Sequence, residues 1–296
     1  MKPTYLSFAL FASLLTSQSF GQQTPPTPYT DAAKIIGKNG TLNADGTYRI
    51  NFPRNDVTFE NSRGMAIPTD LGLATYIAFS SPTDHSLAVG DVAMLEGEID
   101  GVIDALRKAD FEIVSLHNHM TSEQPRLFYL HFQKVGSPAD LAKGFKPALD
   151  ILGHGEEIKV LPKMGKPEID KEALGKIFGA APQVFPSGVV RFATPRKDLN
   201  VKVLDESFTP GMGLGSWVAF SGCECGLTMA MGDTCCTQKD LQHSIDALRK
   251  VGIHITAIHR HVFGGSTDTA FMHYEGEGDV LKLAGGVKNC WDGLGG

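Results

Sequence analysis

Three observations predict an α+β protein made of two tandem copies of a two-layer α/β sandwich, ferredoxin-like or permuted, with an antiparallel sheet and helices on one face. First, Ile103-Asp-Ala-Leu-Arg-Lys108 returns unchanged as Ile245-Asp-Ala-Leu-Arg-Lys250, 142 residues on. Second, separated pairs keep that same offset. Gly90-Asp91 matches Gly232-Asp233, His117-x-His119 matches His259-x-His261, and His131 matches His273. Pro53-Arg54-x-Asp56 matches Pro195-Arg196-x-Asp198, Gly46 matches Gly188, and Arg49 matches Arg191. Third, each copy alternates strand-like and helix-like hydrophobic periods. The copies span 34–152 and 175–292. The linker, 153–174, carries Gly153, Gly155, Pro162, Gly165 and Pro167, residues that suit an irregular connection.

The start of the chain reads as an export signal over 1–21. Met1-Lys2 opens it, Leu6 to Leu15 is apolar, and Ser19-Phe20-Gly21 offers small residues for cleavage. The apolar run is too short to span a bilayer. Residues 22–33 are polar and Pro-rich and are expected to form a flexible leader. The expected location is periplasmic or secreted, with no stable membrane anchor. Of the 296 residues, 42% are hydrophobic and 20% charged, an ordinary globular balance. The net charge is −6 and Lys and Arg form no dense run, which argues against nucleic acid as a partner.

Each copy is expected to open with a short hairpin, Thr47–Phe52 with Val57–Glu60 in the first. Strands follow at Thr75–Ser80 and Ser86–Leu95. Ile99, Val102, Ile103 and Leu106 then form one apolar helical stripe, kept in copy two as Leu241, Ile245 and Leu248. Strands over Phe111–Met120 and Arg126–Val135 come next, joined by a hairpin loop. A second helix starts near Pro138, with Leu141, Ala142, Phe145 and Leu149 on one face. A sheet with both helices on one face buries these stripes.

Alternation along a strand places His117 and His119 on one face. A loop centred near residue 124 sets His131 opposite His117. Three imidazoles then converge, and copy two repeats the set as His259, His261 and His273. These six are the expected metal ligands, and they are most of the ten histidines in the chain. A neutral imidazole offers a lone pair without a charge to desolvate, and three His ligands leave coordination positions open. Zinc is the first choice, with copper, nickel or iron(II) behind it. The expected partner is a small-molecule substrate or the metal ion itself. The competing reading is a structural face on which the two copies pack.

Arg126 is a candidate for steadying an anionic substrate group. Glu96 is a candidate acid or base, beside Glu98; copy two has Gln238 and Asp240 there. Pro-Arg-x-Asp reads as a brace, Gly90-Asp91 as a bend or bulge. All five cysteines lie in the second half, and a bridge from Cys223 or Cys225 to Cys235 or Cys236 is expected across a hairpin. Met229 and Met231 beside these thiols keep a copper(I) reading open.

Ser115-Leu-His-Asn-His-Met120, then Pro125-Arg-Leu-Phe-Tyr-Leu-His-Phe132, Gly136 and Leu141-Ala142 resemble the LppY/LpqO family of exported bacterial proteins, a domain of unknown function that is usually duplicated. The resemblance covers about 34–292 and implies export, duplication and a shared fold, without a reaction. This chain lacks the lipoprotein cysteine. Copy two departs from the motif at Arg260 and at Gly264-Gly265-Ser266.

Overall fold

The structure, a computed structural model, describes residues 24–153, 169–223 and 226–295. The expected export signal, most of the linker and Cys225 lie outside the described residues. Copy one runs α1 (Thr27–Ile36), β1 (Thr41–Leu42), β2 (Tyr48–Pro53), β3 (Phe59–Glu60), β4 (Ala66–Ile67), β5 (Ala74–Phe79), β6 (Ser86–Leu95), α2 (Ile99–Lys108), β7 (Glu112–His117), β8 (Leu127–Gly136) and α3 (Pro138–Ile151). Copy two runs α4 (Lys171–Phe178), β9 (Gln183–Val184), β10 (Val190–Pro195), β11 (Val201–Val203), β12 (Glu206–Phe208), β13 (Gly215–Gly222), β14 (Thr228–Thr237), α5 (Gln238–Lys250), β15 (His254–His259), β16 (Thr269–Gly278) and α6 (Val280–Asp292).

The two main sheets have the same order, β1-β2-β5-β6-β8-β7 and β9-β10-β13-β14-β16-β15. The β6–α2–β7 crossover with β8 inserted between its strands is the split unit of the ferredoxin-like fold. Strand β5 precedes that unit in the chain and flanks β6, so the arrangement is the permuted form.

Strand alternation sorts the side chains into two sets. On β2, Tyr48, Ile50 and Phe52 join the core under α1, α2 and α3, as do Ile77 and Phe79 of β5 and Leu130 and Phe132 of β8. Val190, Phe192, Val218, Phe220, Met272 and Tyr274 do the same under α4, α5 and α6. The opposite sheet faces meet each other. Leu71, Tyr129, Ala219, Met229 and Met231 form one inter-repeat cluster, and Tyr76, Val89, Val203, Phe208 and Phe271 contribute to another. The layers are therefore helix, sheet, sheet, helix. Covering both sheet faces explains why nine of the ten residues of β6 are buried in one unbroken run.

Several expectations are corrected. The leader is helical from Thr27, because Tyr29, Ala32, Ala33 and Ile36 make a helical stripe that packs on the first core. The same holds at the end of the linker, where Asp170 caps α4 by accepting from the Glu172 and Ala173 amides. The opening hairpin does not form: β2 pairs with β5 inside the main sheet, and Phe59–Glu60 pairs with Ala66–Ile67 instead. Gly90-Asp91 sits in regular pairing on both sides of β6, so it is no bulge. The bulges fall at Ile113/Ser115 and Ile255/Ala257.

Gly90 is required by close approach. A Cβ there would run into the Tyr76 carbonyl oxygen and lie 2.5 Å from Phe132 Cζ. At Gly232 it would meet the Tyr274 hydroxyl and lie 2.5 Å from the Trp217 carbonyl oxygen. Gly90→Ala is therefore expected to destabilise by about 1–3 kcal/mol through overpacking. Urea titration checks this, and an unchanged midpoint would contradict it.

Candidate metal centre

One transverse row of each inner face carries the polar residues. Register links Asn51 to Tyr76, Tyr76 to Asp91, Asp91 to His131 and His131 to Ser115. In copy two the row is Ala193, Trp217, Asp233, His273 and Ala257. His131 therefore faces Asp91 and Ser115, whereas His117 pairs with Tyr129. This corrects the expected His117–His131 pairing, since the hairpin is centred one residue earlier. A two-residue slip preserves the face, so the rings still approach, with centroids 5.1 Å apart. Strand β7 ends at His117, and His119 lies in the bend beyond it, stacked on Tyr129 at 3.3 Å. His261 stacks on Phe271 at 3.4 Å in the same way.

The two trios are one cluster. His117 stacks on His259 across the repeat boundary at 3.7 Å, His119 on His273 at 3.8 Å, and His131 lies 4.1 Å from His261. Ligand atoms within 4.8 Å of one another form three groups: His117 with His119 and His273, His117 with His131 and His259, and Asp233 with His259 and His261. No group consists of one copy's three histidines, contrary to expectation. Two of the groups draw on both copies.

All six rings are buried, at 2–8% exposure. Burial pushes the pKa of His119 and of His131 down to about 3, and holds the other four well below the usual range, where neighbouring histidines add to the effect. The rings are therefore neutral, the form that binds metals. His131 Nδ1 lies 2.9 Å from the Gly90 carbonyl oxygen and His273 Nδ1 3.1 Å from that of Gly232. A carbonyl only accepts, so these Nδ1 atoms carry the proton and each Nε2 keeps its lone pair. Both Nε2 atoms lack a hydrogen-bond partner, as do both ring nitrogens of His117 and of His259. A buried polar atom left unpaired costs about 1–3 kcal/mol. Each neutral ring offers one lone pair, so these six nitrogens supply four, and four unclaimed lone pairs in one place fit a metal ion.

The carboxylates stand beside the rings. Asp91 Oδ2 lies 3.2 Å from His119 Nε2, and Asp233 Oδ2 lies 3.3 Å from His261 Nε2. Burial raises both carboxyl pKa values, Asp91 to about 6. A cavity of about 340 Å³ opens on this row, lined by His119, His131, His261, His273, Asp91, Asp233, Arg49 and Arg191 among others.

The other candidates lie elsewhere. Glu96 is exposed in the turn before α2, and Arg126 is half-buried with its guanidinium donating to the Thr121 carbonyl oxygen. Neither lines the cavity. Glu98 holds Arg54 through paired contacts of 2.7 and 3.1 Å, and Asp240 holds Arg196 at 2.9 Å. Pro-Arg-x-Asp is thus a brace. Cys235, Cys236 and Cys290 are buried free thiols, and Cys223 is disulfide-bonded to none of them. The register explains this: Cys223 sits at the turn end of the β13–β14 hairpin, and Trp217 opposite Asp233 puts Cys235 at its far end. Among the described residues no cysteine joins a metal-ligand group, and Met229 and Met231 are core. Sequence reasoning missed Arg49 and Arg191 as cavity residues. Their signal was their repetition at the common offset, on the opposite parity from Tyr48 and Ile50.

One family profile, described as Domain of Unknown Function (DUF1259), matches residues 30–151 and again 172–293. The chain belongs to the DUF1259 family. Each DUF1259 match begins inside the copy's first helix and ends at its last, so the family unit is the structural repeat. No curated protein matches the chain. Among solved structures this DUF1259 protein is similar to a trimeric bacterial microcompartment shell protein, PduB, at 13% identity over 86% of this chain and 90% of that one, with a TM-score of 0.22. It is also similar to EtuB from Clostridium kluyveri, at 8% identity over 85% and 87% of the two chains, with a TM-score of 0.20. Scores this low support no inference about function. Among the described residues no helix is long and apolar enough to cross a membrane.

Proposed function

We propose that this is an exported metal-binding protein, a metal-dependent hydrolase or lyase in type, whose ion sits in a histidine core shared by the two repeats. The observation that carries the metal reading is the fixed tautomer of His131 and His273, which leaves an unpartnered Nε2 lone pair on each of two rings that share a ligand group with His117. His117, His131 and His259 are the ligand set, with His273 and His119 the neighbouring group around His117. Zinc suits neutral imidazoles best, followed by copper, nickel and iron(II). A bound ion of this kind acidifies water and polarises a substrate oxygen. Asp91 and Asp233 stand beside His119 and His261, where a proton can be held.

What favours catalysis over storage is the cavity. It reaches His119, His131, His261 and His273 from one side, leaving a route for a small molecule to the cluster. A non-catalytic copper or zinc carrier of the cell envelope is the alternative.

Metal analysis of purified protein tests the reading, wild type beside His117→Ala and His131→Ala. Wild type should carry a stoichiometric divalent ion, and each variant should lose it while remaining folded by circular dichroism. Wild type that neither contains nor takes up zinc, copper, nickel or iron(II) ends the proposal. A screen of metal-loaded and chelated protein on ester, lactone and phosphate substrates separates enzyme from carrier.

A further inference from the structure

Of the six arginines kept at the repeat offset, Arg107 and Arg249 each donate to a backbone carbonyl just past their helix, and two more are consumed internally. Arg54 and Arg196 each donate to two carboxylates and a carbonyl. The other two, Arg49 and Arg191, enter the inter-repeat cavity from opposite sheets. Arg49 lies over the Tyr76 ring at 3.4 Å and Arg191 over the Trp217 ring at 4.3 Å. Each guanidinium rests against an aromatic face. Arg49 donates from Nε to Asn51 Oδ1 at 2.9 Å, and among the described residues neither arginine has an ion pair. The nearby carboxylates of Asp91 and Asp233 are turned to histidines instead. Both arginines retain some solvent exposure, as expected of groups that face an accessible cavity.

We propose that Arg49 and Arg191 form a paired-guanidinium site for the oxyanion group, carboxylate or phosphate, of a small organic ligand. A guanidinium edge presents parallel N–H donors that match two oxygens of such a group. Two like charges facing one cavity repel each other, and an anion between them removes that repulsion. Burial first and the Arg49 charge second push the pKa of Arg191 down to about 10, with the Asp233 carboxylate opposing them. Ala74, Ala193, Pro195 and Pro210 also line the cavity, beside Thr194 and Ser216, and suit a short apolar body. A cavity of about 340 Å³ is at the small end of ligand pockets. The site goes beyond the metal centre and does not depend on it.

The chain has two tryptophans, Trp217 and Trp291. In a Trp291→Phe background, Trp217 reports the cavity by fluorescence. Phenyl phosphate, benzoate, inorganic phosphate and neutral benzamide are titrated into both as-purified and chelator-treated protein, with calorimetry alongside. At least one organic anion should bind and shift Trp217 emission in both preparations, and benzamide should not. Arg49→Gln and Arg191→Gln should each weaken that binding by about tenfold or more, with metal content unchanged. Arg49→Lys, which keeps charge but loses the fork, should fall between. Phenyl phosphate against benzoate identifies the group, and inorganic phosphate shows whether the apolar body matters. No binding by any anion, equal binding of benzamide, or folded glutamine variants that bind like wild type would overturn the proposal. Loss of metal in His117→Ala with anion binding retained keeps the two sites distinct.

Discussion

Metal-free protein is expected to lose stability steeply as the pH falls below about 6.5, the ordinary histidine pKa. The sign follows from the direction of the shifts. All six cluster histidines titrate lower in the folded protein than in the unfolded chain, because burial opposes their charging. Below that pH the unfolded chain takes up protons that the folded form refuses, so stability is full above it and drains away beneath it. Each ring contributes up to about 1.4 kcal/mol per pH unit. Asp91 and Asp233 are shifted up and act in the opposite sense, since the folded form holds their protons more readily. Six groups against two leave a net loss on the order of 5 kcal/mol per unit at its steepest. Total stabilities are about 5–15 kcal/mol, so the loss is decisive within one to three pH units. Urea midpoints of chelated protein at pH 7.5, 6.5 and 5.5 measure it. A flat profile would mean the rings are solvated or already charged. Bound zinc should delay the loss, because protons must then displace an ion that binds the native state.

Removing Arg54 or Arg196 should cost about 3–5 kcal/mol each, the range for breaking a buried ion pair from one side. Arg54 is 1% exposed and meets Asp56, Glu98 and the Ala93 carbonyl oxygen, using all its donors. Glu98 also accepts from the Leu95 and Gly153 amides, so this one guanidinium ties the end of β6 to the close of α3. Arg196 does the same through Asp198, Asp240 and the Cys235 carbonyl oxygen, with Asp240 accepting from the Gly295 amide. Urea denaturation of Arg54→Ala and Arg196→Ala checks the magnitude. The two braces share no partners, so their losses should add. A cost under about 1 kcal/mol would mark the pair as a solvated surface contact.

Much of this architecture is legible in the sequence. The Ile103–Lys108 hexapeptide exposed the duplication, and the stripes of α2 and α3 showed which face of the sheet they cover. Strand parity puts His117 and His119 on one face, and the hairpin brings His131 beside them. The composite nature of the cluster was not legible, because nothing in one copy states the angle at which the other packs. The hairpin centre was off by one residue, since loop length alone does not fix register. Arg49 and Arg191 went unassigned because a lone arginine on a strand carries no signal of what lies across a sheet boundary. Tyr29 and Ala33 look like leader because Pro26 and Pro28 dominate that stretch, although proline is at home in a first helical turn.

His117 and His259 each lie in a ligand group with residues of the other copy or of both copies. A free half would meet its complement only by diffusion, at a rate set by how much protein is present. Joined in one polypeptide, the halves see each other at an effective concentration that dilution cannot lower. At high dilution such a chain would keep its two halves together where an equivalent pair of separate subunits would come apart.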